Sequence, residues 1–144
     1  LGLADRAYEE ARAILRTKHL GATMSANDTA MSQVGYVQHE LGRMFYAITT
    51  AERVLESTGR IAIEQRDRDW PPSGRKPRWD IAKVACTEAA LTVTDLALRL
   101  VGGSAFRRGH ILERLRRDAH GGFLHSLGTN QLYSFLGQHE LGLI

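Results

Sequence analysis

Apolar residues recur at helical spacing along most of the chain. In residues 1–18, Ala4, Ala7, Tyr8, Ala11, Ile14 and Leu15 share one stripe, with Asp5, Arg6, Glu9, Glu10 and Arg12 off it. That pattern predicts an amphipathic helix. Arg6 and Glu10 can pair on its wet face. Residues 20–30 read as a loop, in which Asn27, Asp28 or Thr29 is placed to cap the next helix. The second helix is long, from about residue 29 to about residue 67. Val34, Leu41, Ile48, Leu55 and Ala62 repeat at a spacing of seven, and so do Val37, Met44, Ala51 and Thr58. Together they form a bundle-type seam. His39, Glu40, Arg43, Glu52, Arg53 and Glu56 fall off it and are expected in solvent.

Trp70, Pro71, Pro72, Ser73 and Gly74 must break that helix. A third helix over 81–101 follows, with Asp80 as N-cap and Trp79 and Val84 placed as a hydrophobic staple. It is apolar on nearly all sides, which marks it as the most buried element. Gly102 and Gly103 end it. A short fourth helix is expected over about 108–119, with Ile111, Leu112 and Leu115 inward, ended by Gly121 and Gly122. A fifth runs over about 129–142, with Leu132, Phe135 and Leu136 inward. No stretch alternates with period two, and there is no repeat or low-complexity tract. The expected fold is all-α: one domain over residues 1–144, an antiparallel up-down helical bundle of four main helices plus one short one.

Composition narrows the classes. A chain of 144 residues, 43% hydrophobic and 24% charged, is long enough for a sizeable core and is ordinary for a globular protein. A net charge of +3 does not call for nucleic acid or an anionic membrane. Arg107, Arg108, Arg114, Arg116 and Arg117 cluster, but no aromatic residues interleave. They read as a solvated helix face with ion pairs to Glu113 and Asp118 rather than as a nucleic-acid stripe. The single Cys86 excludes an internal disulfide framework and fits a reducing cytosol, so a cytoplasmic location is expected. The most apolar stretch, 81–101, is interrupted by Lys83, Glu88, Asp95 and Arg99 and does not read as a membrane span. The chain opens on Leu1 without a signal pattern and reads as a domain of a longer polypeptide.

Motifs of bundle chemistry are missing. No Glu has a His three residues on, as a di-iron site requires. His39-Glu40 and His139-Glu140 lack the second histidine of a zinc protease motif. One cysteine cannot build a structural zinc site, so no metal is expected. Gly103-Ser104-Ala105 is no nucleophile elbow, because Phe106 stands where a second glycine belongs.

Four ordered stretches nevertheless resemble the C-terminal helical domain of the acyl-CoA dehydrogenase superfamily. They are Leu1-Gly2-Leu3-Ala4 through Arg16-Thr17-Lys18 with Gly21; Val37-Gln38-His39-Glu40-Leu41-Gly42-Arg43-Met44; Leu100-Val101-Gly102-Gly103-Ser104-Ala105-Phe106; and Leu112-Glu113-Arg114 through Arg117-Asp118-Ala119. The resemblance implies an oxidoreductase that binds FAD, or FMN, and oxidises the CH–CH bond of an acyl-CoA. It implies a homo-oligomer, tetramer or dimer, formed through the apolar faces of the bundle, the third helix above all. It also implies that no flavin stays on the isolated domain. By match to the family's motifs, Gly102, Gly103 and Ser104 lie near a neighbouring subunit's flavin. Arg16 or Lys18 matches the basic turn that contacts cofactor phosphates, and Thr129 belongs to the family's Gly-Thr pair, here Gly128-Thr129. Arg117-Asp118 reads as an internal ion pair.

One departure bears on the chemistry. The family's dehydrogenases often carry a catalytic glutamate shortly after Arg-Asp-Ala, a place that falls here on Ser126 or Leu127. Neither can remove a proton from a thioester. Either the base lies upstream of Leu1, or the chain resembles the flavin-dependent monooxygenase branch, which has a histidine here and acts on small, for instance aromatic, substrates. His125 stands at that place, and an imidazole can trade protons near neutral pH beside a reduced flavin. A loop-lining role for His125 is the plainer alternative, and His120 reads as structural or exposed. A non-catalytic helical interaction module that kept the fold is the alternative from another class.

Overall fold

A computed structural model describes residues 1–20, 29–64, 77–124 and 128–144. The first helix, α1 (Gly2–Thr17), buries Ala4, Ala7, Ala11 and Leu15. Three of these are alanines, so the helix can lie close against its neighbours. The Arg6–Glu10 pair forms on its outer side at 3.1 Å. Lys18 ends α1 in extended backbone, its N–H donating to Ile14 O at 2.9 Å.

The next helix starts later than its apolar pattern suggests. Met31 N–H donates to Lys18 O at 2.8 Å, and Leu20 N–H to Thr29 O at 2.9 Å. These bonds make an isolated antiparallel bridge between His19 and Ala30. They draw Thr29 out of any capping role, and a 3-10 turn, Met31–Gln33, intervenes before α2 (Gly35–Glu64). Asn27, Asp28 and the proposed breaker from Trp70 to Gly74 lie outside the described residues.

Within α2 the two heptad sets part company. Val37, Met44, Ala51 and Thr58 are all buried. Of the other set, Ile48 is buried, Val34 and Leu41 pack at the edge of the core, and Leu55 is 47% exposed. Length explains the difference. At 1.5 Å per residue the 16 residues of α1 reach about 24 Å, whereas the 30 of α2 reach about 45 Å. Asp5 and Tyr8 near the start of α1 lie opposite Ile48 and Glu52. Beyond them α1 has nothing left with which to cover α2.

Helix α3 (Pro77–Val101) is central and touches α1, α2, α4 and α6. Proline opens it, at the position where the missing N–H costs nothing. Asp80 therefore sits inside the first turn, buried, rather than at an N-cap, and the expected staple geometry at Trp79 and Val84 is lost. Thr94 is fully buried and its hydroxyl donates to Ala90 O at 2.7 Å, so the core holds it without an unmet donor.

After α3 come a 3-10 turn (Gly103–Phe106) and α4 (Ile111–Ala119). α4 begins later than the arginine run suggests, because Gly109 adopts φ +90° and the His110 ring accepts from Leu112 N–H at 3.2 Å as a cap. Nor do Gly121 and Gly122 break the chain. His120 ends α4, and Gly121–Leu124 form one further helical turn, α5. Finally α6 (Thr129–Glu140) starts at Gly128, whose N–H donates to Gln131 Oε1 at 3.0 Å.

Specific contacts give the directions. The end of α1 meets the end of α3 through Lys18 and Val101, so these two helices run parallel. Thr58 and Ile61, late in α2, share a groove with Ile81, early in α3, so α2 runs against both. Arg116 of α4 reaches back to Asp95 at 3.0 Å, which sets α4 antiparallel to α3. The result is an all-α, up-down bundle. No described helix is long and apolar enough to cross a membrane.

Candidate functional site

The residues singled out in the sequence separate into two regions. At one end of α3, Gly102 takes φ +84°, a conformation that favours glycine, and Gly103 and Ser104 are exposed. Ala105 N–H closes the following turn onto Gly102 O at 2.9 Å. The N–H groups of Gly103 and Ser104 precede that first bond, so the turn cannot use them internally. Lys18 arrives at the same place. Its ammonium donates to Val101 O and lies 3.8 Å from where a Cβ on Gly102 would stand. There it also offsets the negative end of the α3 dipole. Arg16 is exposed on the last turn of α1. A bare turn with spare donors beside a cation has the chemistry that a phosphate accepts, so these residues fit a dinucleotide's phosphate group.

The second region lies on the other half of α3. Thr129 is buried at the first position of α6. The Tyr133 hydroxyl donates to the Glu88 carboxylate, tying α6 to α3 across 45 positions of sequence. Thirteen residues separate Glu88 from Val101, about 20 Å along a helix. Thr129 and the Gly102 turn therefore cannot touch one small group together. His125, Ser126 and Leu127 lie outside the described residues. Nothing in the sequence pattern marked Glu88 or Tyr133, since each reads as a surface position on its own helix.

The Tyr133–Glu88 bond has a measurable signature. Donation to the carboxylate, with desolvation and the carboxylate charge adding to it, raises the Tyr133 phenol above its ordinary value. A raised pKa favours the neutral phenol in the folded state. This contribution to α6 attachment is complete below the ordinary tyrosine value near 10 and is lost as pH rises through the higher folded value. Absorbance titration at 295 nm should show one late phenol that Glu88→Gln moves back towards the ordinary range. An unchanged titration in that variant removes the bond.

The arginine cluster is internally paired. Arg117 bonds Glu113 at 3.2 Å and Arg114 lies 3.6 Å from Asp118, so Arg117 and Asp118 pair with other residues rather than each other. Arg116 joins Asp95 at 3.0 Å, and Arg99 joins the same carboxylate at 2.8 Å. His120 is exposed and packs on Arg116. Burial pushes the Cys86 thiol up, away from nucleophilic use. Among the described residues no His, Cys, Asp and Glu cluster fits a metal ion.

The apolar surplus expected on α3 is spent inside the bundle. The exposed apolar surface belongs to α2: Tyr46 is 72% exposed, and Phe45, Leu55 and Ile63 accompany it. Phe45, Tyr46, Val54, Ile61 and Ile81 line an open groove of about 680 Å³. A smaller groove of about 410 Å³ shares Tyr46 and carries Arg43 and Glu88 on its walls.

Comparison with known proteins adds a third set of findings. A family model described as "Acyl-CoA dehydrogenase, C-terminal domain" matches residues 1–129. An amino sugar nitrososynthase of Streptomyces peucetius is 32% identical over 98 residues, covering 67% of this chain and 22% of that protein. An L-evernosamine nitrososynthase of a Micromonospora species is 41% identical over 106 residues, covering 72% of this chain and 25% of that protein. The chain thus spans about a quarter of the length of the curated relatives it matches.

Proposed function

The chain belongs to the acyl-CoA dehydrogenase family as its C-terminal domain, and from that premise we propose that the protein carrying it is a flavin-dependent oxygenase acting on the amine nitrogen of a sugar. The observation that carries this reading is the replacement of the family's glutamate by Ser126 or Leu127, with His125 beside them. The two relatives named as nitrososynthases of amino sugars support it. Thioester oxidation with a base upstream of Leu1 is the second reading.

A bound reduced flavin supplies the two electrons with which dioxygen gives one oxygen atom to the nitrogen and the other to water. Lys18 and the turn of Gly102, Gly103 and Ser104 hold the phosphates of the cofactor. Arg16 adds positive charge on the same side. Thr129 supports the start of α6. The His125 imidazole moves a proton to or from the reacting nitrogen or oxygen. In this reading the protein is cytoplasmic, and copies associate through the exposed face of α2 rather than through α3. A non-catalytic interaction module would need the groove along that face but no flavin.

The test is mass spectrometry of the flavin that co-purifies with the complete protein, FAD or FMN, followed by two assays. Oxygen-dependent loss of a free amino sugar is the expected result, with no bleaching of the flavin by acyl-CoA. The 144 residues alone should bind no stoichiometric flavin, because the rest of the site lies elsewhere. Bleaching by acyl-CoA without amine turnover would overturn the oxygenase reading in favour of the dehydrogenase one.

A further inference from the structure

Two consecutive residues of α3 hold both flanks of segment 125–127. Upstream, α5 comes so close to α3 that a Cβ built on Gly122 would stand 2.8 Å from Thr87 Cγ2 and 3.1 Å from its Oγ1. Thr87 is buried on the central helix. Exchanging its methyl and hydroxyl by rotation leaves an atom in the same place, and a β-branched side chain in a helix has few other positions. Only glycine fits opposite Thr87 without a shift. Downstream, the next residue, Glu88, accepts the hydroxyl of Tyr133. The flanks also meet one another, since a Cβ on Gly128 would lie 3.6 Å from Phe123 O.

We propose that Thr87 and Glu88 form a two-point anchor that fixes both ends of segment 125–127 on α3, with Gly122 and Tyr133 as the groups they hold. All four are positioning residues: they act on the reaction through the segment they seat. The existence of the anchor rests on the contacts alone. Its bearing on catalysis rests on the oxygenase reading.

The experiment uses the complete flavin-loaded protein and four variants: Gly122→Ala, Gly122→Ala with Thr87→Ala, Tyr133→Phe and His125→Ala. Two quantities are read: amide hydrogen exchange over residues 123–129, and the share of reducing equivalents that reaches product rather than hydrogen peroxide. Gly122→Ala should speed exchange over 123–129. A displacement of about 1 Å costs about 100-fold in productive reaction, so product should fall on that order while peroxide rises. Adding Thr87→Ala empties the space that the new methyl needs and should restore both quantities at least tenfold. Tyr133→Phe should act in the same direction and more weakly; its side chain is exposed, so the variant will fold even if Gly122→Ala does not. Unchanged exchange in both Gly122→Ala and Tyr133→Phe overturns the anchor, and so does a failure of Thr87→Ala to rescue. If exchange responds and is rescued while His125→Ala keeps full activity, the anchor stands and the assignment of His125 falls.

Discussion

In the complete protein, His125→Ala is expected to slow product formation by about 10²–10⁴-fold, the usual worth of a general acid–base group. Flavin affinity should change little, because the phosphates are held at the Gly102 turn and by Lys18, about 20 Å along α3 from the Glu88 region. The two chemical readings part on this variant. If thioester oxidation is the reaction and its base lies upstream of Leu1, proton abstraction does not pass through His125, and the cost should be far smaller. Ser126→Glu is the matching change, since it puts a carboxylate near the family's usual base position. Single-turnover flavin reduction by acyl-CoA, set beside oxygen-dependent amine turnover, reads both variants. Unchanged rates in both assays for His125→Ala would leave the residue with a packing role alone.

Helix type and order were legible in the sequence because burial follows period. The stripe Ala4, Ala7, Ala11 and Leu15 is buried as its spacing requires. The boundaries were less legible, and the reason is chemical competition for backbone groups. Thr29 reads as a helix cap from its side chain, but its carbonyl is engaged by Leu20 N–H. Asp80 reads as a cap too, but Pro77 already opens the helix three residues earlier. Gly121 and Gly122 read as a break, and instead Gly122 exists to let α5 approach Thr87. That last purpose is invisible from local sequence, since it depends on a residue 35 positions away. The candidate site behaves alike. The Gly102 turn was marked by its glycines, and Lys18 by a motif. Their meeting, and the bond between Glu88 and Tyr133, are products of how the helices pack.

The same distinction sets the largest effect on stability. Met44 and Leu55 both fall on the heptad seam of α2, and sequence alone gives them equal weight. Met44 is fully buried, while Leu55 is 47% exposed beyond the reach of α1. Met44→Ala removes a side chain from a filled interior and should cost about 2–5 kcal/mol. For a chain of this size each kcal/mol moves the thermal midpoint by about 2–4 °C, so the midpoint should fall by about 5–20 °C. Leu55→Ala should stay within about 0.5 kcal/mol, as an exposed helix position with no lost contact does. A second measurement separates folding from association. If copies meet through the exposed face of α2, Tyr46→Glu should weaken self-association in sedimentation at high micromolar concentration and leave the monomer's midpoint in place. Should Leu55→Ala cost as much as Met44→Ala at every protein concentration, the far half of α2 is covered within the chain and the exposed face does not exist. Should its cost appear only at concentrations where the protein associates, Leu55 lies in the interface, and the surplus apolar residues of α2 are there to meet another copy.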